Sequence, residues 1–443
     1  MKRLFGTDGV RGVANEDLTP SLAMRIAQAT VSTLRQQSGE CVVFVGRDTR
    51  LSSPMLCDAI ICGLCASGAK AVNLGVLPTP AVAYLTKKHH ADAGIVISAS
   101  HNSFEHNGIK IFNRDGYKLA DELEEKIEAL ANSDAPMLEK GKKIGTREDR
   151  EEYQKEYLAY LKSISPERFD GLKIAIDCSN GATSFMAREL FSSLGAECFM
   201  LADKPNGVNI NEGCGSVHVD KMCDYVVKNR LNMGVAFDGD ADRLMCVDEK
   251  GEVVDGDMIM ASLAYDMKKR GALVKNTVVG TIMTNYGFEL FCRENGIEFI
   301  PAKVGDRYVL EEMLLGGYAF GGEQSGHLIF SEFATTGDGM ISAIMLISLM
   351  KRKSLPLSVL HSVMKKTPQA LVNISANKEQ KLNFLKSNEV QMLLDETKRE
   401  LDGKGRAVVR ASGTEALIRV MVECPESPEK IAHSLAEKIS KLI

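Results

Sequence analysis

Three carboxylates at alternate positions, Asp238, Asp240 and Asp242, stand in the run Asp238-Gly239-Asp240-Ala241-Asp242-Arg243, directly after the apolar segment Val235-Ala236-Phe237. Held in one turn they cannot all ionise without a cation, because each raises the pKa of the others. A divalent ion removes the conflict, and an all-oxygen donor set suits a hard ion, Mg2+ where a phosphate completes the shell. A second apolar run, Gly94-Ile95-Val96-Ile97, opens into Ser98-Ala99-Ser100-His101-Asn102, a strand that delivers a hydroxyl to a loop. By itself such a loop is a turn or a helix cap. Beside a Mg2+ turn, a serine there becomes a candidate carrier of a phosphoryl group, with Ser98 and Ser100 equivalent by strand alternation.

Two further runs have matching chemistry. Arg410-Ala411-Ser412-Gly413-Thr414-Glu415 offers a guanidinium, two hydroxyls and the N–H groups of a glycine turn, donors that fit a phosphate. Gly321-Gly322-Glu323-Gln324-Ser325-Gly326-His327 places Glu323 and Ser325 where they can meet sugar hydroxyls, and His327 where it can move a proton near neutral pH. Lys303, Arg307 and Arg11 would ordinarily be solvated charges, although the glycines of Phe5-Gly6-Thr7-Asp8-Gly9-Val10-Arg11-Gly12 suggest a shaped loop around Arg11.

Rival readings of the acidic turn differ in their needs. An EF-hand would put Gly where Arg243 stands and helices on both sides; Glu249 at the twelfth position does not compensate. A phosphatase with Asp238 as nucleophile is the competing enzyme class, but where such enzymes typically carry Thr or Val after one spacer this chain has Asp242, which suits ligation better. A non-catalytic sugar-phosphate sensor would not need both the acidic triad and the serine loop.

Short β-branched runs, polar or glycine-rich turns and helical segments alternate along most of the chain. Val42–Val45, Ile95–Ile97, Ile174–Ile176, Val235–Phe237 and Val278–Ile282 each read as a strand entering a turn that leads to a helix. That alternation predicts an α/β fold with mixed, mostly parallel sheets, whose ligands bind beyond the carboxyl ends of the strands. Asp121 to Leu130 and the charged run Glu148 to Leu161 read as helices, the second as a connector. The boundaries fall near 153, 256 and 368, giving units 1–153, 154–256 and 257–368. Beyond them, strands at Leu371 to Ile374, Arg406 to Arg410 and Ala416 to Glu423 and a helix at Glu429 to Leu442 make 369–443 an α+β unit.

Composition narrows the class. The 443 residues exceed one ordinary core. With 54 basic against 59 acidic side chains, the net charge of −5 argues against nucleic acid as partner. The 11 scattered cysteines form no framework, and Cys62-Gly63-Leu64-Cys65 has no second pair nearby, which suits a reducing cytoplasm. No signal peptide or membrane span is expected: Asp8 comes too early, and Met340 to Met350 is too short.

Taken together, the motifs and their order resemble the α-D-phosphohexomutase superfamily over the whole chain. Within it, Phe5 to Gly12, Gln324 of the sugar loop and Cys214-Gly215-Ser216-Val217-His218 are most similar to bacterial members acting on glucosamine phosphates. The resemblance implies three similar α/β domains and a mobile C-terminal domain around a central cleft. It also implies interconversion of glucosamine 6-phosphate and glucosamine 1-phosphate, on the route to UDP-N-acetylglucosamine and peptidoglycan. The expected intermediate, also the activator, is glucosamine 1,6-bisphosphate. The family pattern selects Ser100 as the phosphoserine, with Asp238, Asp240, Asp242 and a Ser100 phosphate oxygen holding one Mg2+. Arg11, Lys110, His101 and His327 are implied as active-site groups, Arg243, Lys303, Glu323 and Ser325 as contacts to substrate. Arg410, Ser412, Gly413, Thr414 and Arg419 are implied as holding the non-reacting phosphate. A homodimer is implied as well. Ser103, Ala411 and Ala416 stand where the family commonly has Pro, which should leave both loops freer before ligand binds. A phosphomannomutase or phosphoglucomutase activity is the alternative within the superfamily, a Mg2+-dependent sugar phosphatase the alternative outside it.

Overall fold

The computed structural model describes residues 4–6, 8–35, 40–133, 138–401, 403–411 and 416–443. Its first sheet has seven strands in the order Phe5–Gly6, Gly9–Val13, His106–Asn113, Ala93–Ile97, Cys41–Arg47, Ala69–Val76 and Arg147–Asp149. Cys41–Arg47 pairs parallel with both neighbours, whereas His106–Asn113 runs antiparallel to Ala93–Ile97. The second sheet orders Val253–Val254, Leu244–Asp248, Met233–Phe237, Lys173–Asp177 and Glu197–Leu201; the third orders Glu298–Ala302, Thr277–Thr281, Phe320–Gly322 and Leu328–Phe330. All three are mixed, with a parallel centre and an antiparallel margin. The fourth, Gln369–Ser375, Leu417–Glu423 and Arg406–Ala411, is wholly antiparallel and carries the helices Lys378–Lys386, Asn388–Glu400 and Pro428–Ser440.

The strand-turn-helix reading holds after Cys41–Arg47, Lys173–Asp177 and Thr277–Thr281, which lead to helices Ser53–Ala66, Ala187–Ser193 and Tyr286–Glu294. It fails at the two loops with the most chemistry. After Ala93–Ile97 and after Met233–Phe237 the chain returns as an antiparallel strand, not a helix. Six consecutive residues of the first return strand, Asn107 to Phe112, are buried, so both of its faces are covered and no amphipathic helix pattern can form. Phe320–Gly322 turns back into Leu328–Phe330 in the same way. The serine loop, the acidic turn and the sugar loop therefore occupy equivalent bends in three similar sheets.

The expected helix from Glu148 is also shorter. Residues 147–149 form an edge strand against Ala71–Asn73, and the helix spans Tyr153–Ser163. The boundary at 153 falls on that helix's first residue, the one at 256 on the first residue of Gly256–Lys269, and the one at 368 just before strand Gln369–Ser375.

Packing separates the tail from the rest. One apolar core runs through the first three units, joining Phe44 and Phe112 to Phe237, Phe288 and Phe320. The tail closes a core of its own around Ile374, Phe384, Val420 and Ile439. Its docking is polar: the buried Glu423, which accepts from Arg406 Nε at 2.6 Å within the tail, also accepts from Asn285 Nδ2 at 2.8 Å and the Tyr286 N–H at 3.1 Å, and Arg406 Nη2 donates to the Thr284 carbonyl. Among the described residues no helix is long and apolar enough to cross a membrane.

Candidate active site

The serine loop is shaped by one buried ion pair. Arg50, fully buried, spends all five of its N–H groups. Nε donates to Asp48 Oδ2 at 2.7 Å, Nη1 to the carbonyls of Ser103 and His106, and Nη2 to those of Ser100 at 2.8 Å and Asn102 at 3.0 Å. Asp48 Oδ2 also accepts from the Ser98 hydroxyl at 2.7 Å, and Ser98 Oγ in turn accepts from the Ser100 N–H at 3.0 Å. Ser98 is thereby committed to the loop's own structure. Ser100 is held at a φ of +54°, left-handed backbone that serine rarely adopts. Its hydroxyl donates to Asp238 Oδ2 at 2.5 Å and lies 3.3 Å from His101 Nδ1. Gly239 permits this approach, since a Cβ there would sit 2.7 Å from the Ser100 carbonyl oxygen.

Asp238, Asp240 and Asp242 are buried, with oxygens within 4.8 Å of one another. Asp240 Oδ2 accepts from Thr79 Oγ1 at 2.6 Å and from Lys110 Nζ at 2.8 Å; the same ammonium is 3.2 Å from Asp242 Oδ2. Among the described residues, Asp240 Oδ1 and Asp242 Oδ1 are buried and have no hydrogen-bond partner. Burial, then repulsion from Asp242 and Asp240, pushes the Asp238 carboxyl well above its ordinary range. Burial pushes Asp242 the same way, but Lys110 beside it outweighs this and holds it well below. Orphaned oxygens, mutual repulsion and an all-carboxylate donor set are what a hard divalent ion would relieve, so these residues fit Mg2+.

The third unit brings its loop to the same place. His327, buried, has Nδ1 3.8 Å from Asp242 Oδ2, and its Nε2 accepts from the Gly337 N–H at 3.0 Å, which puts the ring proton on Nδ1. Glu323 Oε1 accepts from the Gly305 N–H at 3.2 Å, and burial raises its pKa above the usual value. Arg243 Nε lies 3.8 Å from Asp242 Oδ1; burial opposes its charge, but Asp242, Asp238 and Glu323 keep it firmly protonated. Burial and the arginines Arg243 and Arg11 push His101 down to about 4, so its imidazole is neutral near pH 7.

Other sequence candidates sort by position. Arg11 pairs with Asp8, whose carboxylate also faces Lys110 at 3.2 Å, so the N-terminal loop joins the cluster. Ser325 is half-buried on the sugar loop. Lys303 is exposed, its ammonium over the Tyr308 ring at 5.6 Å. Arg410 and Arg419 face each other in register across the tail sheet, remote in sequence from the triad. Burial and Arg419 lower the pKa of Arg410. Ser412, Gly413 and Thr414 lie outside the described residues.

Several residues that build the site carry no motif. Asp48 and Arg50 stand in the turn Gly46-Arg47-Asp48-Thr49-Arg50, where a charged pair two apart after a buried strand was the available signal. Asn211 Nδ2 donates to the carbonyls of Ser100 and Asn102, each at 2.9 Å. Neither Asn211 nor Thr79 has any local pattern to mark it.

Four family models cover the chain. Those described as phosphoglucomutase/phosphomannomutase alpha/beta/alpha domains I, II and III match residues 2–136, 152–251 and 255–367, and the C-terminal domain of the same family matches 371–442. The chain is 48% identical over 449 residues to a phosphoglucosamine mutase of Clostridium botulinum strain 657, covering 100% of each. It is 50% identical to that of Caldanaerobacter subterraneus over 444 residues, 100% of this chain and 99% of the relative. Among solved structures it resembles a phosphoglucomutase/phosphomannomutase family protein of Burkholderia thailandensis, with a TM-score of 0.83 at 22% identity over 100% and 98% of the two chains. It also resembles the Aspergillus fumigatus N-acetylphosphoglucosamine mutase in complex with GlcNAc-6P and magnesium, with a TM-score of 0.69 at 17% identity over 99% and 95%. A serine hydroxyl set against three buried carboxylates, with a lysine, arginines and a histidine from three similar sheets closing round them, thus belongs to a chain of the phosphoglucomutase/phosphomannomutase family.

Proposed function

We propose that this enzyme is an isomerase that interconverts glucosamine 6-phosphate and glucosamine 1-phosphate, feeding UDP-N-acetylglucosamine and peptidoglycan synthesis. The observation that carries the phosphoserine chemistry is the Ser100 hydroxyl on Asp238 at 2.5 Å, beside carboxylate oxygens of Asp240 and Asp242 that have no donor among the described residues. The specificity for the amino sugar rests on the full-length relatives, which bear that activity in their names.

In the proposed cycle Ser100 begins phosphorylated. The free hydroxyl of a bound sugar phosphate attacks phosphorus, the bond from phosphorus to Ser100 Oγ breaks, and glucosamine 1,6-bisphosphate forms. The bisphosphate turns over, and its other phosphate returns to Ser100. Asp238, Asp240 and Asp242 with a phosphoserine oxygen would hold Mg2+, which when bound neutralises charge on the transferring phosphoryl oxygens. Arg243 and Lys110 add fixed positive charge where negative charge develops. Lys110 sits among Asp240, Asp242 and Asp8, which overcome its burial and keep it an ammonium, so its part is electrostatic. His327 is left for proton transfer, its ring buried between Asp242 and Asp306. Glu323 and Ser325 read sugar hydroxyls, and the tail loop around Arg410 and Arg419 holds the phosphate that does not react.

Intact-protein and peptide mass spectrometry test this reading. Phosphate on Ser100, absent in Ser100→Ala, together with loss of mutase turnover in that variant, is the expected result. A Ser100→Ala enzyme that keeps releasing phosphate from sugar phosphates would make it a phosphatase instead. Substrate choice is tested with Mg2+ and a trace of sugar bisphosphate: faster conversion of glucose or mannose phosphates than of glucosamine 6-phosphate would make it a different mutase.

A further inference from the structure

Lys118 belongs to none of the motifs. Its side chain is 11% exposed, and its ammonium meets Asp8 Oδ1 and Asp306 Oδ2 at 2.5 Å each. Asp8 lies in the N-terminal loop of the first unit; Asp306 opens helix Asp306–Gly316 of the third. From these two acids the contacts run on in both directions. Asp8 reaches Lys110, and Lys110 reaches Asp242 at 3.2 Å. Asp306 Oδ2 lies 3.7 Å from His327 Nε2, and His327 Nδ1 lies 3.8 Å from Asp242. Asp242, Lys110, Asp8, Lys118, Asp306 and His327 therefore close a ring of alternating acidic and basic side chains drawn from all three α/β units.

The segment that supplies Asp306 also shapes the sugar loop. Gly305 next to it donates its N–H to Glu323, and Arg307 on its other side donates to Asp121 and to the Leu119 carbonyl in the first unit. An exposed ion pair would contribute little. Lys118, however, stands between two largely buried carboxylates of different units, and without it those carboxylates repel.

We propose that Lys118 is a positioning residue for the phosphoryl transfer: by pinning Asp306 to Asp8 it fixes the span between Ser100 and Glu323, across which the phosphoryl group meets the sugar hydroxyl. This rests on the mutase reading above. Lys118 acts through Asp306 and touches neither substrate nor phosphoserine.

The test compares wild type, Lys118→Met, Lys118→Arg, Asp306→Asn and Lys118→Met with Asp306→Asn, using glucosamine 6-phosphate, Mg2+ and a trace of the bisphosphate. A displacement on the order of 1 Å can cost about a hundredfold in rate. Lys118→Met is accordingly expected to lower kcat by about 30-fold or more, while KM stays within about threefold. Loss of phosphate from phosphorylated Ser100 to water should stay within about twofold of wild type, because water needs no alignment with the third unit. Lys118→Arg should recover most of kcat, and the double variant should be no slower than the slower single one. Unchanged kcat in Lys118→Met overturns the proposal, as does an equal loss in the transfer to water or losses that multiply in the double variant. If Lys118→Met does not fold, Asp306→Asn decides, and a wild-type kcat there overturns it. Wild-type protein that shows no mutase turnover at all overturns the functional reading first, which separates the two failures.

Discussion

Arg50 Nη2 donates to the Ser100 carbonyl at 2.8 Å, so the loop presenting the reactive hydroxyl hangs from a buried guanidinium. Arg50→Lys keeps the charge but offers three donors where five are used. The expected cost is roughly 2–4 kcal/mol of stability with at least a tenfold fall in kcat, because freed carbonyls stay buried and Ser100 leaves its left-handed backbone. Thermal unfolding and steady-state rates measure both. A lysine enzyme with wild-type rate would mean the loop holds its shape unaided.

The acidic turn predicts a metal requirement with a structural signature. Chelator-treated enzyme should recover turnover with Mg2+, and Asp240→Asn should need at least about tenfold more Mg2+ for half-maximal rate. Mg2+ should also raise the melting temperature of wild type and do so less in the variant, since binding to the folded state alone stabilises it. Equal Mg2+ response in both proteins would remove Asp240 from the site.

Asp338 gives a pH dependence of known sign. It caps helix Gly339–Lys353, accepting from the Met340 and Ile341 N–H groups and from the Tyr157 hydroxyl, and burial raises its pKa to about 6. A carboxyl raised from 3.8 in the unfolded chain stabilises the fold fully below pH 3.8, and this contribution is lost as pH rises through about 6. The loss is about 3 kcal/mol. Asp338→Asn, still a good cap, should remove it, so the stability difference between wild type and variant should shift by most of that amount between pH 4 and 7. Parallel urea midpoints across that range would refute the assignment.

Glu423 and Arg406 govern how the tail docks. Arg406→Met leaves Glu423 buried with the neutral donors Asn285 and Tyr286 among the described residues, at a cost of about 1–3 kcal/mol in docking. The tail's separate core should keep it folded. Small-angle scattering should then show a larger radius of gyration, and KM should rise roughly fivefold or more, one kcal/mol being about fivefold in affinity. An unchanged radius would show that other contacts set the tail's angle.

What was legible in the sequence was whatever the chain wrote locally. Asp238, Asp240 and Asp242 are neighbours before folding, so their conflict is visible at once. The tail strand Gln369–Ser375 is equally local, its buried residues alternating with exposed ones over one small core. Ser98 and Ser100 could not be separated by alternation, since what distinguishes them is Asp48, 50 residues upstream. Lys118 and Asp306 stand 188 residues apart, and neither is unusual where it stands. The return strands were misread because full burial on both faces erases the periodicity that would have told strand from helix.

The three equivalent bends also dictate what kind of change the enzyme tolerates. Each bend ends in an antiparallel strand in fixed register: Ile97 opposite Ile109, Phe237 opposite Leu244 and Gly322 opposite Leu328. Side chains in a strand alternate between faces, so adding or deleting a single residue in a bend either bulges the loop or turns the whole return strand over. In the first sheet that would swing Lys110 away from the carboxylates and turn Ile109 and Ile111 toward them. Residue types in these loops can therefore drift more freely than their lengths, and loop length is the trait by which working variants should be recognised.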